Sequence, residues 1–198
     1  MNISKTALVL VDCENDFLSP DGKLYGLVKP EAGKEDLVSN INSVIDAAHS
    51  KGMDVVFTSM VFDPGYPGLE EGSFGIFDAV KNAGALVSGT WGSEIVDSVH
   101  IGESDKVFEK RTMCTFQTTD LEPYLRSKGI TTLVFGGLVT NLCLESSIRS
   151  AYDRGFETYA LTDCMAALEP AVHDMTVSQN FPMFSKPVDH NNFLEMVS

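Results

Sequence analysis

Gly136-Gly137-Leu138-Val139-Thr140-Asn141-Leu142-Cys143 is the stretch on which the reading of this chain turns. Just before it, Thr131-Thr132-Leu133-Val134-Phe135 is apolar and β-branched, which predicts a buried strand. Just after it, Leu142, Ser146, Arg149 and Ala151 lie in a segment suited to a helix. Two glycines let the backbone turn sharply at the strand's carboxyl end. Cys143 then falls in the first turn of the helix, where unpaired N–H groups and the macrodipole favour negative charge. A thiol there ionises more readily, and the thiolate is the nucleophile. The competing reading is a buried cysteine that packs as a small hydrophobe. Only the rest of the chain can decide between them.

Working outward, Thr6-Ala7-Leu8-Val9-Leu10-Val11 is a continuous apolar run that ends abruptly at Asp12, the pattern of a strand buried on both faces. Cys13-Glu14-Asn15-Asp16-Phe17 follows, then turn residues through Pro20-Asp21-Gly22. From about Glu31 to Lys51, Leu37, Ile41, Val44, Ile45 and Ala48 recur at helical spacing, with Gly52 placed as a C-cap. Asp54 to Met60 reads as the second strand, completing a right-handed β-α-β unit. Residues 61 to 104 are broken by Gly72, Gly75, Gly84, Gly89 and Gly92 and read as an irregular excursion, more often a functional lid than a linker. Asp105 to Lys110 predicts a third strand, and Thr118 or Thr119 caps a helix that ends near Gly129. A strand over Gly155–Asp163, a helix over Glu169–Gln179 and a short strand over Phe184–Val188 complete the pattern. Strands alternate with helices, which predicts an α/β fold: a parallel sheet with helices on both faces, one domain over residues 1–198.

Bulk properties exclude several classes. A net charge of −14 argues against tracking a phosphate backbone, so nucleic acid is not an expected partner. No apolar run is long enough to span a bilayer, and the first residues lack the layout of a signal peptide. Cys13, Cys114, Cys143 and Cys164 form no C-x-x-C pair, which points to reduced thiols in a cytoplasmic protein. His49, His100, His173 and His190 are equally scattered, so neither metal nor cofactor is expected.

Asp12, Lys110 and Cys143 share one property: each follows a β run at its carboxyl end. Parallel strands bring such ends to one edge, where ligands bind in open α/β sheets. A cysteine nucleophile needs a base, which Asp12 can supply, and a lysine favours the charged forms of both. Cys13 and Cys114 read as filler.

These residues resemble the isochorismatase-like cysteine hydrolases. Leu8-Val9-Leu10-Val11-Asp12-Cys13-Glu14-Asn15-Asp16-Phe17 is similar to their V-D-x-Q-N-D-F motif, Val107-Phe108-Glu109-Lys110 to their lysine strand, and Gly137 to Ser146 to their nucleophile turn. Gly89-Thr90-Trp91-Gly92-Ser93-Glu94-Ile95 also resembles a segment common among members. The resemblance implies a Rossmann-like, three-layer α/β/α fold on a parallel sheet of about six strands. It implies an Asp12-Lys110-Cys143 triad and a cis peptide between Leu138 and Val139. It further implies an oxyanion hole formed by the N–H groups of Val139 and Cys143, and a homo-oligomer, dimer or tetramer.

Two departures narrow the branch. Nicotinamidases in the family carry a D-x-H metal pair after the second strand, where this chain has Met60-Val61-Phe62-Asp63. Met60 and Phe62 offer no oxygen or nitrogen ligand, so a metal-independent amidohydrolase is expected. Members that cleave the vinyl ether of isochorismate typically lack the cysteine, whereas Cys143 is present here. The expected reaction is therefore hydrolysis of a C–N bond in a small amide, ureido or carbamoyl compound through a thioester. The alternatives are an ether hydrolase with Cys143 as bystander, a non-enzymatic binding protein that keeps the fold, and a thiol redox sensor, which lacks an adjacent resolving cysteine. Phe17, Phe62, Tyr66, Trp91, Met113 and Phe116 are expected to wall an apolar substrate pocket, with Arg111 pairing a substrate carboxylate.

Overall fold

The structure is a computed structural model that describes residues 1–28, 34–69 and 74–198. Six strands, β1 (Thr6–Val11), β2 (Asp54–Met60), β3 (Lys106–Lys110), β4 (Thr132–Leu138), β5 (Glu157–Ala166) and β6 (Lys186–Val188), form one sheet in the order β3-β2-β1-β4-β5-β6. Every pairing is parallel. The helices are α1 (Asn15–Leu18), α2 (Lys34–Ser50), α3 (Gly75–Ala83), α4 (Leu121–Ser127), α5 (Glu145–Asp153), α6 (Pro170–Met175) and α7 (His190–Val197). Helices α2 and α7 pack together over β5. On the opposite face α4 meets α5, where Arg154 reaches Glu122 at 2.9 Å. This is the α/β architecture that alternating strands and helices predict, with both faces of the sheet covered.

The centre of the sheet explains the apolar runs. All six residues of β1 and all seven of β4 are buried, so their two faces both require apolar side chains. Truncating a fully buried residue such as Leu8 or Leu10 to alanine costs about 2–5 kcal/mol. Strand order reverses direction between β1 and β4, the place where open α/β sheets form a ligand crevice at their carboxyl edge.

Several sequence expectations need correction. Gly136 and Gly137 do not form the turn: both lie within β4, opposite Leu10 and Val11. Their smallness serves close approach instead. At Gly137 the backbone has φ 111°, and a Cβ would sit 2.0 Å from the Val11 carbonyl oxygen. The chain turns only after Leu138, and the Leu138–Val139 peptide is cis. The 61–104 segment is more regular than its glycines suggest, because it contains α3, which ends at Gly84 in a left-handed C-cap. Helix α7 was not anticipated. It begins at Asp189, whose side chain accepts from Asn192 N–H, and it buries Phe193 and Val197. The helix predicted over Glu169–Gln179 is α6 followed by a π turn over Thr176–Asn180. Helix α2 ends as expected at Gly52, φ 68°; Glu31 at its predicted start and Gly72 lie outside the described residues.

Candidate active site

At the end of β1 the chain leaves extended geometry in one step, since Asp12 has φ 55°. Its N–H still bonds the Thr58 carbonyl at 2.9 Å, so the residue stays anchored to β2 while its carboxylate turns over the sheet edge. Lys110 ends β3, two strands away, in register with Met60 of β2. Strands lie about 4.8 Å apart, so only a long side chain bridges this gap. Lys110 does so fully buried, placing Nζ 2.8 Å from Asp12 Oδ1 and 2.9 Å from Oδ2. A further bond to the Thr112 carbonyl at 3.2 Å fixes the ammonium.

Cys143 arrives from the other side. Thr140–Leu144 is a π turn between β4 and α5, a widened helical geometry frequent at functional sites. The N–H groups of Leu142 and Leu144 both bond the Val139 carbonyl, at 3.0 and 3.2 Å, which fixes the turn on either side of Cys143. The Ser147 hydroxyl donates to the Cys143 carbonyl at 2.6 Å and accepts from Thr115 N–H at 3.0 Å, tying the turn to the loop after β3. Thr140 Oγ1 lies 2.9 Å from His173 Nδ1 of α6. The Cys143 side chain, nearly buried, interacts with Asp12 and with Lys110.

The electrostatics differ from the expectation drawn from a helix start. Burial pushes the Cys143 thiol well above the ordinary thiol range; Asp12 adds to that rise and Lys110 opposes it. The resting group is therefore a thiol that needs a base at the moment of attack. Burial also raises the Asp12 carboxyl, against the charge of Lys110 and its hydrogen bonds. For Lys110 burial lowers the pKa, but Asp12, Cys143 and Glu14 more than offset it and the net shift is upward. Lys110 is thus held charged, while Asp12 is made more basic than a free aspartate.

The geometry of the edge fits one family, and the sequence comparison matches the Isochorismatase domain over residues 6–192. This chain belongs to the isochorismatase family. Ureidoacrylate amidohydrolase RutB of Methylobacterium radiotolerans is 31% identical over 171 residues, covering 80% of this chain and 66% of that protein. A cysteine hydrolase from Pseudomonas syringae pv. phaseolicola superposes with a TM-score of 0.84 at 23% identity, covering 100% of this chain and 94% of that one. N-carbamoylsarcosine amidase from Thermoplasma acidophilum superposes with a TM-score of 0.74 at 25% identity, covering 94% of this chain and 97% of that one.

The isochorismatase fold places the expected pocket residues unevenly. Phe17 is buried in α1, and Met113 is partly buried in the loop after β3. Phe62 and Tyr66 pack on each other with ring centroids 5.6 Å apart, and Phe62 meets Phe77 of α3 at 6.0 Å. The Tyr66 hydroxyl donates to the Ala85 carbonyl at 2.6 Å, and Phe62 and Tyr66 belong to the main hydrophobic core. Phe116 is not part of a wall at this edge: it stacks on Phe156, just before the amino end of β5, at 6.1 Å. Trp91 is 47% exposed, and Arg111 pairs with Asp63 at 2.8 Å on the surface. A recess of about 630 Å³ beside α2, lined in part by Asn42, Asp46 and His100, contains none of the triad candidates.

Asn15 and Asp16 of α1 hold the 86–94 segment in place. Asn15 N–H bonds the Glu94 carbonyl at 2.8 Å, and its side chain donates to the Trp91 carbonyl at 2.9 Å. Asp16 accepts from Leu86 N–H at 2.6 Å and Lys23 N–H at 3.0 Å. A Cβ at Gly92 would fall 2.4 Å from Asp16 Oδ2, which explains the glycine in the Trp91-Gly92-Ser93 turn. Sequence spacing carried no signal for the contacts to Leu86 and Trp91, because these backbone partners lie 70 and 76 residues away.

Proposed function

We propose that this chain is a cysteine amidohydrolase that cleaves a C–N bond of a small ureido or carbamoyl compound, with Asp12, Lys110 and Cys143 as its catalytic triad. The observation that carries this reading is the convergence of a buried thiol, a buried carboxylate and one buried ammonium at the carboxyl edge of the sheet. A thiol beside a raised carboxyl is a nucleophile paired with its base. The names of the relatives supply the substrate class, since one acts on ureidoacrylate and another on N-carbamoylsarcosine.

In the proposed reaction, Asp12 takes the Cys143 proton as Sγ bonds to the substrate carbonyl carbon. The carbonyl oxygen gains the electron pair and is held by the N–H groups of Val139 and Cys143. Lys110 keeps Asp12 oriented and offsets its charge. When the C–N bond breaks, Asp12 returns the proton to the leaving nitrogen, and a thioester remains. Asp12 then takes a proton from water, hydroxide adds to the thioester carbonyl, and the C–S bond breaks to regenerate the thiol with the proton from Asp12. Preorganised donors at an oxyanion contribute roughly 3–4 kcal/mol each, which suits a turn fixed by the Val139 carbonyl and Ser147.

An ammonia-release screen over small amides, ureides and carbamoyl acids tests the reading, with Cys143→Ala as the blank. The wild type is expected to release ammonia from at least one carbamoyl or ureido compound while Cys143→Ala releases none. Silence across the whole screen, or equal release by the mutant, contradicts it.

A further inference from the structure

One buried ionisable group takes no part in that reaction. Glu14, two residues beyond Asp12, is fully buried. Its Oε1 accepts from the Met60 N–H at 2.5 Å, and its Oε2 is buried without a partner. Asp12 draws on the same Met60 amide, and its Oδ1 lacks a hydrogen bond of ordinary geometry despite the nearby Lys110 Nζ. Two carboxyl groups therefore converge on one amide at the edge of β2. Lys110 is the one fully buried cation among the described residues.

The groups around Glu14 leave its charge without compensation. From the β1 end come Asp12 and Cys13; from β3 comes Lys110; from the π turn comes Cys143. The segment laid over it contributes backbone, through a bridge between Glu14 and Ile95, and its neighbour Glu94 is exposed. Asp16 of α1 is engaged by Lys23 and Leu86. Two buried anions beside one cation would leave a net negative charge away from water, and such a group takes up a proton instead. Asp12, contacted by Lys110 through both oxygens, is the one that stays ionised.

We infer that Glu14 is a neutral carboxylic acid at neutral pH, forming with Asp12 a two-carboxyl, one-charge pair that keeps the site's single negative charge on the base. Burial first, and the Asp12 charge second, push the Glu14 carboxyl well above the ordinary range. Glu14 is thus a positioning residue. It holds the Met60 amide and leaves Asp12 alone to accept the thiol proton. The sign of its pH effect follows. As pH rises and Glu14 ionises, a second charge appears beside Asp12 and Cys143, the thiol becomes harder to ionise, and activity falls.

The protonation state rests on the carboxyl cluster alone; only its catalytic consequence rests on the proposed hydrolysis. A carbon-13 NMR titration of the glutamate carboxyls, with Glu14→Gln identifying the signal, tests the first. The Glu14 carboxyl is expected to remain in its protonated form through neutral pH; titration near 4.3, the ordinary glutamate value, would overturn the inference. Should Glu14→Gln fail to fold, the signal is assigned in the wild type through its backbone connectivity. A pH profile of hydrolysis tests the second. Glu14→Gln is expected to keep its neutral-pH kcat and to lose the alkaline fall or move it up by about a unit or more. Loss of neutral-pH kcat in a folded Glu14→Gln, or an unchanged alkaline limb, would overturn it. A chain that hydrolyses nothing contradicts the proposed activity and leaves the NMR result standing.

Discussion

The strand ends at the carboxyl edge of the sheet and the rim built around them obey different rules. Asp12, Lys110 and Cys143 are buried within reach of one another although they come from three separate parts of the chain. The rim residues scatter: Trp91 faces solvent, Arg111 pairs with Asp63, Phe62 and Tyr66 pack on each other, and Phe116 leaves for the far edge. A parallel ladder dictates where each strand ends and on which edge, so a residue closing a strand is positioned by the whole sheet. A loop residue is positioned only by its local contacts. Chemistry is thus readable at strand ends, whereas the lining of a pocket is not.

The largest effect is expected from Asp12→Asn. It keeps the side chain's shape and removes the base, so kcat should fall roughly 10²–10⁴-fold with the circular dichroism spectrum unchanged. Near-normal turnover would place the base elsewhere. Next comes Gly137→Ala, which alters no reacting group. A Cβ 2.0 Å from the Val11 carbonyl oxygen at a φ that L-residues avoid should destabilise by about 3 kcal/mol or more, read from denaturant unfolding. A variant as stable as the wild type would refute the close-approach role of that glycine.

On the rim the expected effects shrink and change kind. Phe116→Leu should lower stability by about 1 kcal/mol through its stack on Phe156, while kcat/KM stays unchanged. A selective loss of kcat/KM would return Phe116 to the pocket. Arg111→Ala removes an exposed ion pair and should alter stability by less than about 1 kcal/mol, with KM for a carboxylate substrate unmoved. A large rise in that KM would show Arg111 exchanging Asp63 for substrate.

The same contrast explains how far the sequence could be read. β1, β2 and β4 were legible because burial demands mostly apolar runs, and the charge closing β1 marked Asp12; Lys110 closes the more exposed β3 and was marked only by its place at that strand's end. The parallel sheet followed from the alternation of elements. Helix α3 was hidden because its nine residues begin at Gly75 and are capped by Gly84, glycines that also read as turn formers. Helix α7 carries a short signal, the Asp189 cap with Phe193 and Val197 four apart. The thiol's elevated pKa was not legible, since it depends on burial and on Asp12, 131 positions earlier in the sequence. Glu14 carried no signal of its own, since its role depends on the fold placing it against Met60 and Asp12.

The central claim is that Cys143 forms the covalent intermediate. Acid-quenched turnover with a carbamoyl or ureido substrate, followed by peptide mass spectrometry, examines it directly. The account predicts an acyl mass increment on the peptide that contains Cys143, absent in Cys143→Ala and building up before product reaches its steady rate. Turnover that continues after iodoacetamide has alkylated Cys143 would contradict it.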